Sequence, residues 1–143
     1  MSDKIKQAKE IISIYPEMFN DANFSKGFQV GTGWFPIIKD LVESIKENDN
    51  VYNQKNNFKF VTKVLNISER FGSMVFQVGR TLRANVLLVN NAEQESYLTC
   101  ETCGTKEDMG SYKEKACCKS CAEKRTPKGT LYTEHWSPYP DTI

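Results

Sequence analysis

Apolar residues recur at helical intervals from the start of the chain. Ile5, Ala8, Ile11 and Ile12 fall on one side of a helix from Lys4 to about Ile14, and Pro16 ends it by pushing Tyr15 toward extended backbone. A glycine-rich stretch, Gly27-Phe28-Gln29-Val30-Gly31-Thr32-Gly33, then reads as a turn. Pro36 sits where a first-turn proline is tolerated, because an N–H there would have no intrahelical partner. Beyond it Ile37, Ile38, Leu41, Val42 and Ile45 line one face of a second helix reaching about Lys46. The run from Glu47 to Asn57 is rich in asparagine and is expected to be a loop.

From Phe58 the period changes. Phe58, Phe60 and Thr62 alternate with other residues, and Met74, Phe76 and Val78 do the same after Arg70-Phe71-Gly72. This predicts two strands joined by a turn containing Gly72. Val64 to Ile67 fits either a longer first strand or a helical turn. Thr81 to Glu95 predicts a third helix with Leu82, Val86, Val89 and Ala92 on one side. The final stretch, Thr126 to Ile143, carries three of the five prolines and no period, which predicts a tail that wanders or lies extended on the surface.

Composition narrows the class. The 143 residues, 39% of them hydrophobic and eight of them Phe, suit one compact core with a small accessory module. Nineteen Lys and Arg against 18 Asp and Glu leave a net charge of +1, so no global field draws the chain to nucleic acid or to an anionic membrane. The N-terminal Met1-Ser2-Asp3-Lys4 lacks the pattern of a signal peptide, and no apolar run approaches the ~20 residues needed to span a bilayer. The expected setting is the cytoplasm, where thiols are metal ligands more often than disulfides.

All five cysteines lie between positions 100 and 121. Cys100-Glu101-Thr102-Cys103-Gly104 and Cys118-Lys119-Ser120-Cys121 each place two residues between their thiols. That spacing lets a tight turn aim two sulfurs at one tetrahedral ion with Zn–S near ~2.3 Å. The 14 residues between the pairs are enough for a short hairpin that brings the two turns together. Gly104 suits the bend after the first pair. The pattern predicts one structural zinc held by Cys100, Cys103, Cys118 and Cys121. Cys117 is read as a spare thiol, and His135, the only histidine, lies 14 residues beyond Cys121 and is not counted as a ligand.

Four thiolates around Zn²⁺ carry a formal charge near −2, and Lys106, Lys113, Lys115, Lys119, Lys124 and Arg125 are available to offset it. The alternative use of these cations is a nucleic-acid surface. Seven basic and seven acidic residues fall between Tyr97 and Ile143, which favours charge compensation.

No catalytic set emerges. A closed Cys₄ site leaves no open metal position, a zinc deaminase would need a His-x-Glu that is missing, and Gly31-Thr32-Gly33 lacks the Gly-Lys-Ser/Thr of a phosphate loop. The expected class is a binding protein, not an enzyme. Trp34 reads first as a core plug, and alternatively as an aromatic anchor for a partner. Tyr132, Trp136 and Tyr139 form a second candidate docking strip, or else pack back on the cysteine module.

Four features in order resemble a family of small proteins of unknown function from tailed phages and prophages. They are Gly33-Trp34-Phe35-Pro36-Ile37-Ile38 opening an amphipathic helix, and Arg70-Phe71-Gly72-Ser73-Met74-Val75-Phe76 as strand–turn–strand. Ser96 before Cys100 to Gly104 comes next, and the pair Cys118 and Cys121 closes the set. The resemblance covers roughly Tyr15 to Arg125. Arg70 stands where the family typically has Lys, and the tail beyond Arg125 has no counterpart. The resemblance implies a phage-encoded accessory protein of the bacterial cytoplasm and supplies no activity.

The sequence therefore predicts an α+β domain over residues 1–96, with three helices around a small antiparallel sheet. A zinc-ribbon-like C-terminal module over 97–125 and an extended tail over 126–143 follow. The expected role is to bind a host or phage protein and so redirect or inhibit it. The alternatives are a nucleic-acid-binding accessory protein using the zinc module and an enzyme with an unrecognised site.

Overall fold

The computed structural model describes residues 3–19 and 21–140, so expectations for Met1, Ser2 and residues 141–143 lie outside the described residues. The architecture is α+β with two small antiparallel sheets. Helix α1 (Asp3–Ile12) buries Ala8 and Ile11. A short α2 (Asp21–Phe24) follows, and a 3₁₀ turn at Thr32–Trp34 leads into α3 (Phe35–Asn56). Strands β1 (Val64–Arg70) and β2 (Ser73–Val78) form the first sheet. Helix α4 (Arg83–Tyr97) packs against β2 and α3. Then come β3 (Met109–Tyr112), β4 (Lys115–Cys118), α5 (Lys119–Arg125) and β5 (Trp136–Pro138), with β3 central between β4 and β5.

The three expected helices correspond to α1, α3 and α4, and two short ones, α2 and α5, are added to them. The largest difference lies in α3. Residues 47–57, expected to be a loop, continue the helix to Asn56, and Asn57 closes it with a left-handed φ of 49°. Ile45, Asp49 and Asn53 are spaced by four, so they share the face that the upstream Ile and Leu residues occupy.

Asp49 is fully buried. Its Oδ2 accepts the Tyr15 hydroxyl at 2.7 Å and the Thr62 N–H at 2.9 Å, while Oδ1 accepts Thr62 Oγ1 and Asn85 Nδ2, each at 3.0 Å. Burial, and then the Asp49 carboxylate, push the Tyr15 phenol well above its ordinary range. A buried carboxylate is tolerable when its lone pairs are filled in this way.

The same helix explains why residues 58–62 are not a strand. Asn53 Nδ2 donates to the Phe60 carbonyl and Asn53 Oδ1 accepts the Phe60 N–H, both at 2.8 Å. Side chains of α3 thus take backbone groups that a ladder would otherwise use. The strand starts only at Val64, resolving the undecided stretch Val64 to Ile67 in favour of sheet.

Helix α4 buries Val89 and Ala92 as expected, but completes that face with polar residues in place of Val86. Asn85, Val89, Ala92 and Ser96 are buried, whereas Val86 is 44% exposed. Asn85 is affordable inside because Asp49, Thr81 and Thr62 all accept from its amide. Two other α4 side chains cap the outer edge of β2. The Met74 N–H donates to Ser96 Oγ at 2.8 Å, and the Phe76 N–H donates to Glu93 Oε2 at 2.9 Å. An edge whose donors are taken is a poor template for strand addition.

Removing the Asp49 carboxylate leaves the buried Tyr15 hydroxyl and Thr62 N–H without an acceptor and takes one of three acceptors from the Asn85 amide. Asp49→Ala is expected to destabilise by about 3 kcal/mol or more, at roughly 1–3 kcal/mol per stranded group. Asn50→Ala, on the exposed side of α3, should stay within about 0.5 kcal/mol. Urea unfolding of the two variants checks the contrast.

Candidate metal centre

The chain leaves α4 and turns directly into the first cysteine pair. The Cys100 N–H donates to the Thr105 carbonyl at 2.8 Å and the Gly104 N–H donates back to the Cys100 carbonyl at 2.9 Å, which closes a tight knuckle. Gly104 has a φ of 82°, the left-handed conformation that the bend requires. The second pair is built differently. Cys118 is the last residue of β4 and the N-cap of α5, and Cys121 sits in the first turn of that helix. The Cys121 N–H points at Cys118 Sγ, 3.4 Å away.

The β3–β4 hairpin brings the halves together. The Glu101 N–H donates to the Ala116 carbonyl at 3.2 Å, and the Lys119 N–H donates to the Asp108 carbonyl at 2.9 Å. As a result the four sulfurs of Cys100, Cys103, Cys118 and Cys121 lie within 4.8 Å of one another. A tetrahedron with metal–sulfur arms of ~2.3 Å has edges of about 3.8 Å, and Cys103 Sγ is 3.7 Å from Cys118 Sγ. A disulfide would need about 2.05 Å, and all five thiols are free. The donor set and its shape fit one four-coordinate ion.

Electrostatics in the metal-free thiols are uneven. Burial raises Cys100, but backbone hydrogen bonds from Cys103, Cys118 and Thr102 outweigh it and bring the thiol down to about 7. Burial pushes Cys118 and Cys121 up. Metal ligation therefore has to displace protons from at least those two sulfurs.

The remaining predicted residues are distributed around this cluster. Cys117 lies outside it, buried, with its thiol directed to the Cys118 carbonyl at 3.4 Å, and burial raises it to about 11. His135 is exposed, with its ring 5.9 Å from that of Tyr112. Trp34 is fully buried and its Nε1–H donates to the Thr99 carbonyl at 2.9 Å. Trp136 is buried too, donating from Nε1 to the Cys117 carbonyl at 2.9 Å. A Cβ on Gly110 would lie 2.6 Å from the Trp136 ring, so glycine there lets the indole lie on β3. Tyr132 packs on Trp136, and Tyr139 stacks on Tyr97 with centroids 4.4 Å apart. In this conformation neither tryptophan offers its ring to a partner.

The tail thus joins the sheet. β5 pairs with β3 through Gly110↔Pro138, Ser111↔Ser137 and Tyr112↔Trp136. Some of the six cations expected to be available to offset the sulfur charge have other engagements: Lys106 pairs with Glu95 at 2.8 Å, Lys115 approaches Glu69 at 3.9 Å, and Arg125 lies 5.0 Å from the Tyr112 ring centroid.

Sequence reasoning missed Gly31, Gly33 and Glu101. Two glycines flanking one residue ahead of a buried Trp were read as a turn alone, whereas a close backbone approach was the other reading of that signal. Outside the cysteine cluster, an open groove of about 630 Å³ lies between β2 and α4, lined by Met74, Val75, Tyr97 and Leu98 among others. No protein-family model, curated protein or solved structure matches this chain.

Serine in place of Cys100, Cys103, Cys118 or Cys121 is expected to reduce bound metal, whereas Cys117→Ser keeps it in full. Because protons leave as the ion binds, affinity must rise with pH and fall as the thiols are protonated. Competition with a metal indicator between about pH 8 and about pH 6 should show more than one proton released per ion.

Proposed function

We propose that this chain is a zinc-binding accessory protein of the phage-encoded kind its motif order resembles, acting by binding a host or phage protein in the bacterial cytoplasm. The observation that carries the reading is the closed set of four cysteine sulfurs. Zinc suits four thiolates in a tetrahedron, and such a site is structural because no position is left for water or substrate. The two cysteine turns on a hairpin, with β5 alongside, are consistent with a zinc-ribbon-like module.

Two further observations support a binding role. The groove between β2 and α4 exposes mainly apolar surface, and Tyr97 and Leu98 at its margin are 40% and 43% exposed. Of the polar side chains that also line it, Ser73, Asn90, Glu93 and Gln94, the charged one, Glu93, accepts the Phe76 N–H. Among the described residues no helix is long and apolar enough to cross a membrane.

A second reading, nucleic-acid binding, is favoured by one cluster of cations. Arg70, Lys113 and Lys115 gather where the tips of the two hairpins meet, beside Phe71, which is 68% exposed. Glu69 and Glu114 share that place and weaken its field.

Elemental analysis of protein never exposed to chelator is expected to give one zinc per chain; no metal would refute the zinc assignment. Affinity purification from expressing bacteria with nuclease treatment should retain a stoichiometric protein partner, and Leu98→Glu should release it without loss of zinc. Binding to DNA or RNA that falls steeply with salt, and is abolished by reversing Arg70 and Lys113, would favour the second reading instead.

A further inference from the structure

The turn that precedes α3 and the first cysteine knuckle meet backbone to backbone. The Gly33 N–H donates to the Glu101 carbonyl at 2.8 Å, and the Gly31 N–H donates to Glu101 Oε2, also at 2.8 Å. Glu101, which sits directly after the ligand Cys100, therefore grips the turn with both its main-chain and its side-chain oxygen. Trp34 adds its indole N–H to the Thr99 carbonyl, on the other side of the same ligand.

Space is as restricted as the hydrogen bonding. A Cβ on Gly33 would overlap the Cys100 carbonyl oxygen and lie 2.6 Å from both the Glu101 carbonyl oxygen and the Gly104 nitrogen. One on Gly31 would overlap the Glu101 carbonyl oxygen and lie 2.9 Å from Glu101 Cγ. Neither glycine has a positive φ, so both are glycine because the knuckle touches their α-carbons. Residues 99, 100, 101 and 104, the backbone that carries the first ligand, are thus shaped by a segment some 65–70 positions earlier in the chain.

We infer that Gly31, Gly33, Trp34 and Glu101 are positioning residues for the metal centre, so that docking of the turn and binding of the ion are coupled. The inference rests on the metal reading above and extends it to residues that never touch the ion. A knuckle held in its ligating shape loses less freedom when the ion binds, and partners that orient ligands commonly account for about 10–100-fold in metal affinity. Coupling is reciprocal, so the ion must favour docking of the turn by the same factor by which the turn favours the ion.

The test uses the full chain, Zn²⁺ in competition with a chromophoric chelator, and Co²⁺, whose thiolate absorption reports the ligand set. Gly33→Ala and Glu101→Ala are expected to weaken Zn²⁺ binding about 10–100-fold. Glu101→Gln should recover most of that loss, because its amide oxygen still accepts from the Gly31 N–H. In the wild-type chain, amide exchange at Gly31 and Gly33 should slow when the ion is added, by a factor matching the affinity loss. If Gly33→Ala does not fold, the Glu101 pair and the exchange measurement still decide. Wild-type affinity in both Ala variants, or exchange at Gly31 and Gly33 that ignores the ion, overturns the coupling while the metal site stands. A wild-type chain that takes up neither Zn²⁺ nor Co²⁺ overturns the metal reading and the coupling with it.

Discussion

Four sulfurs within 4.8 Å of one another are an unstable arrangement unless protons or a cation occupy the space between them. The knuckle, the β3–β4 hairpin and α5 together bring those sulfurs there. The knuckle presents Cys100 and Cys103, β4 ends on Cys118, and α5 starts in the one direction that turns Cys121 back toward its neighbour. The β3–β4 pairing then sets the separation between the halves, and β5 with Trp136 covers the hairpin from the other side. Burial that raises Cys118 and Cys121 gives an ion a further role there, since it replaces protons that the thiols would otherwise keep.

The N-terminal half contains a second buried polar centre, and it is organised by opposite chemistry. The Asp49 carboxyl is satisfied by neutral donors from the bend after α1, the segment before β1, and α4. Helix α3 connects the two centres: it begins at Phe35, next to the turn that meets Glu101, and carries Asp49 further along. Helix α4 connects them again, contributing Asn85 to the carboxylate and ending just before Cys100. A chain of edge-to-face aromatics, Phe19, Phe24, Phe28 and Phe35, fills the space beside the start of α3. The cysteine cluster is consequently packed on the helices and not merely tethered to them.

Surface charge plays a small part in this arrangement. Lys106 and Lys115 are directed to glutamates on α4 and β1, and exposed pairs of this kind contribute little to stability. The sulfur cluster is instead served by backbone N–H groups, as at Cys121, which are fixed by the fold and need no side-chain ordering.

The four clustered cysteines were legible in the sequence because a two-residue gap between thiols is a local constraint, satisfied or not within a single turn. The helical runs of Ile, Leu and Val in α1 and α3, and the turn at Gly72, were legible for the same reason: their periods reflect neighbours a few residues away. What only the tertiary structure decided was the use of polar residues. Asp49 and Asn53 look like loop residues until Thr62 and Phe60 arrive to occupy them, and Asn85 looks exposed until Asp49 does. Trp136 reads as part of an aperiodic tail until β3 offers it an edge and Gly110 a surface. Gly31 and Gly33 look like a flexible turn, although their missing side chains make room for a knuckle that lies far along the chain. In each case the deciding contact joins residues remote in sequence, and no local pattern encodes which partner a hydrogen-bonding group or a vacant α-carbon will meet.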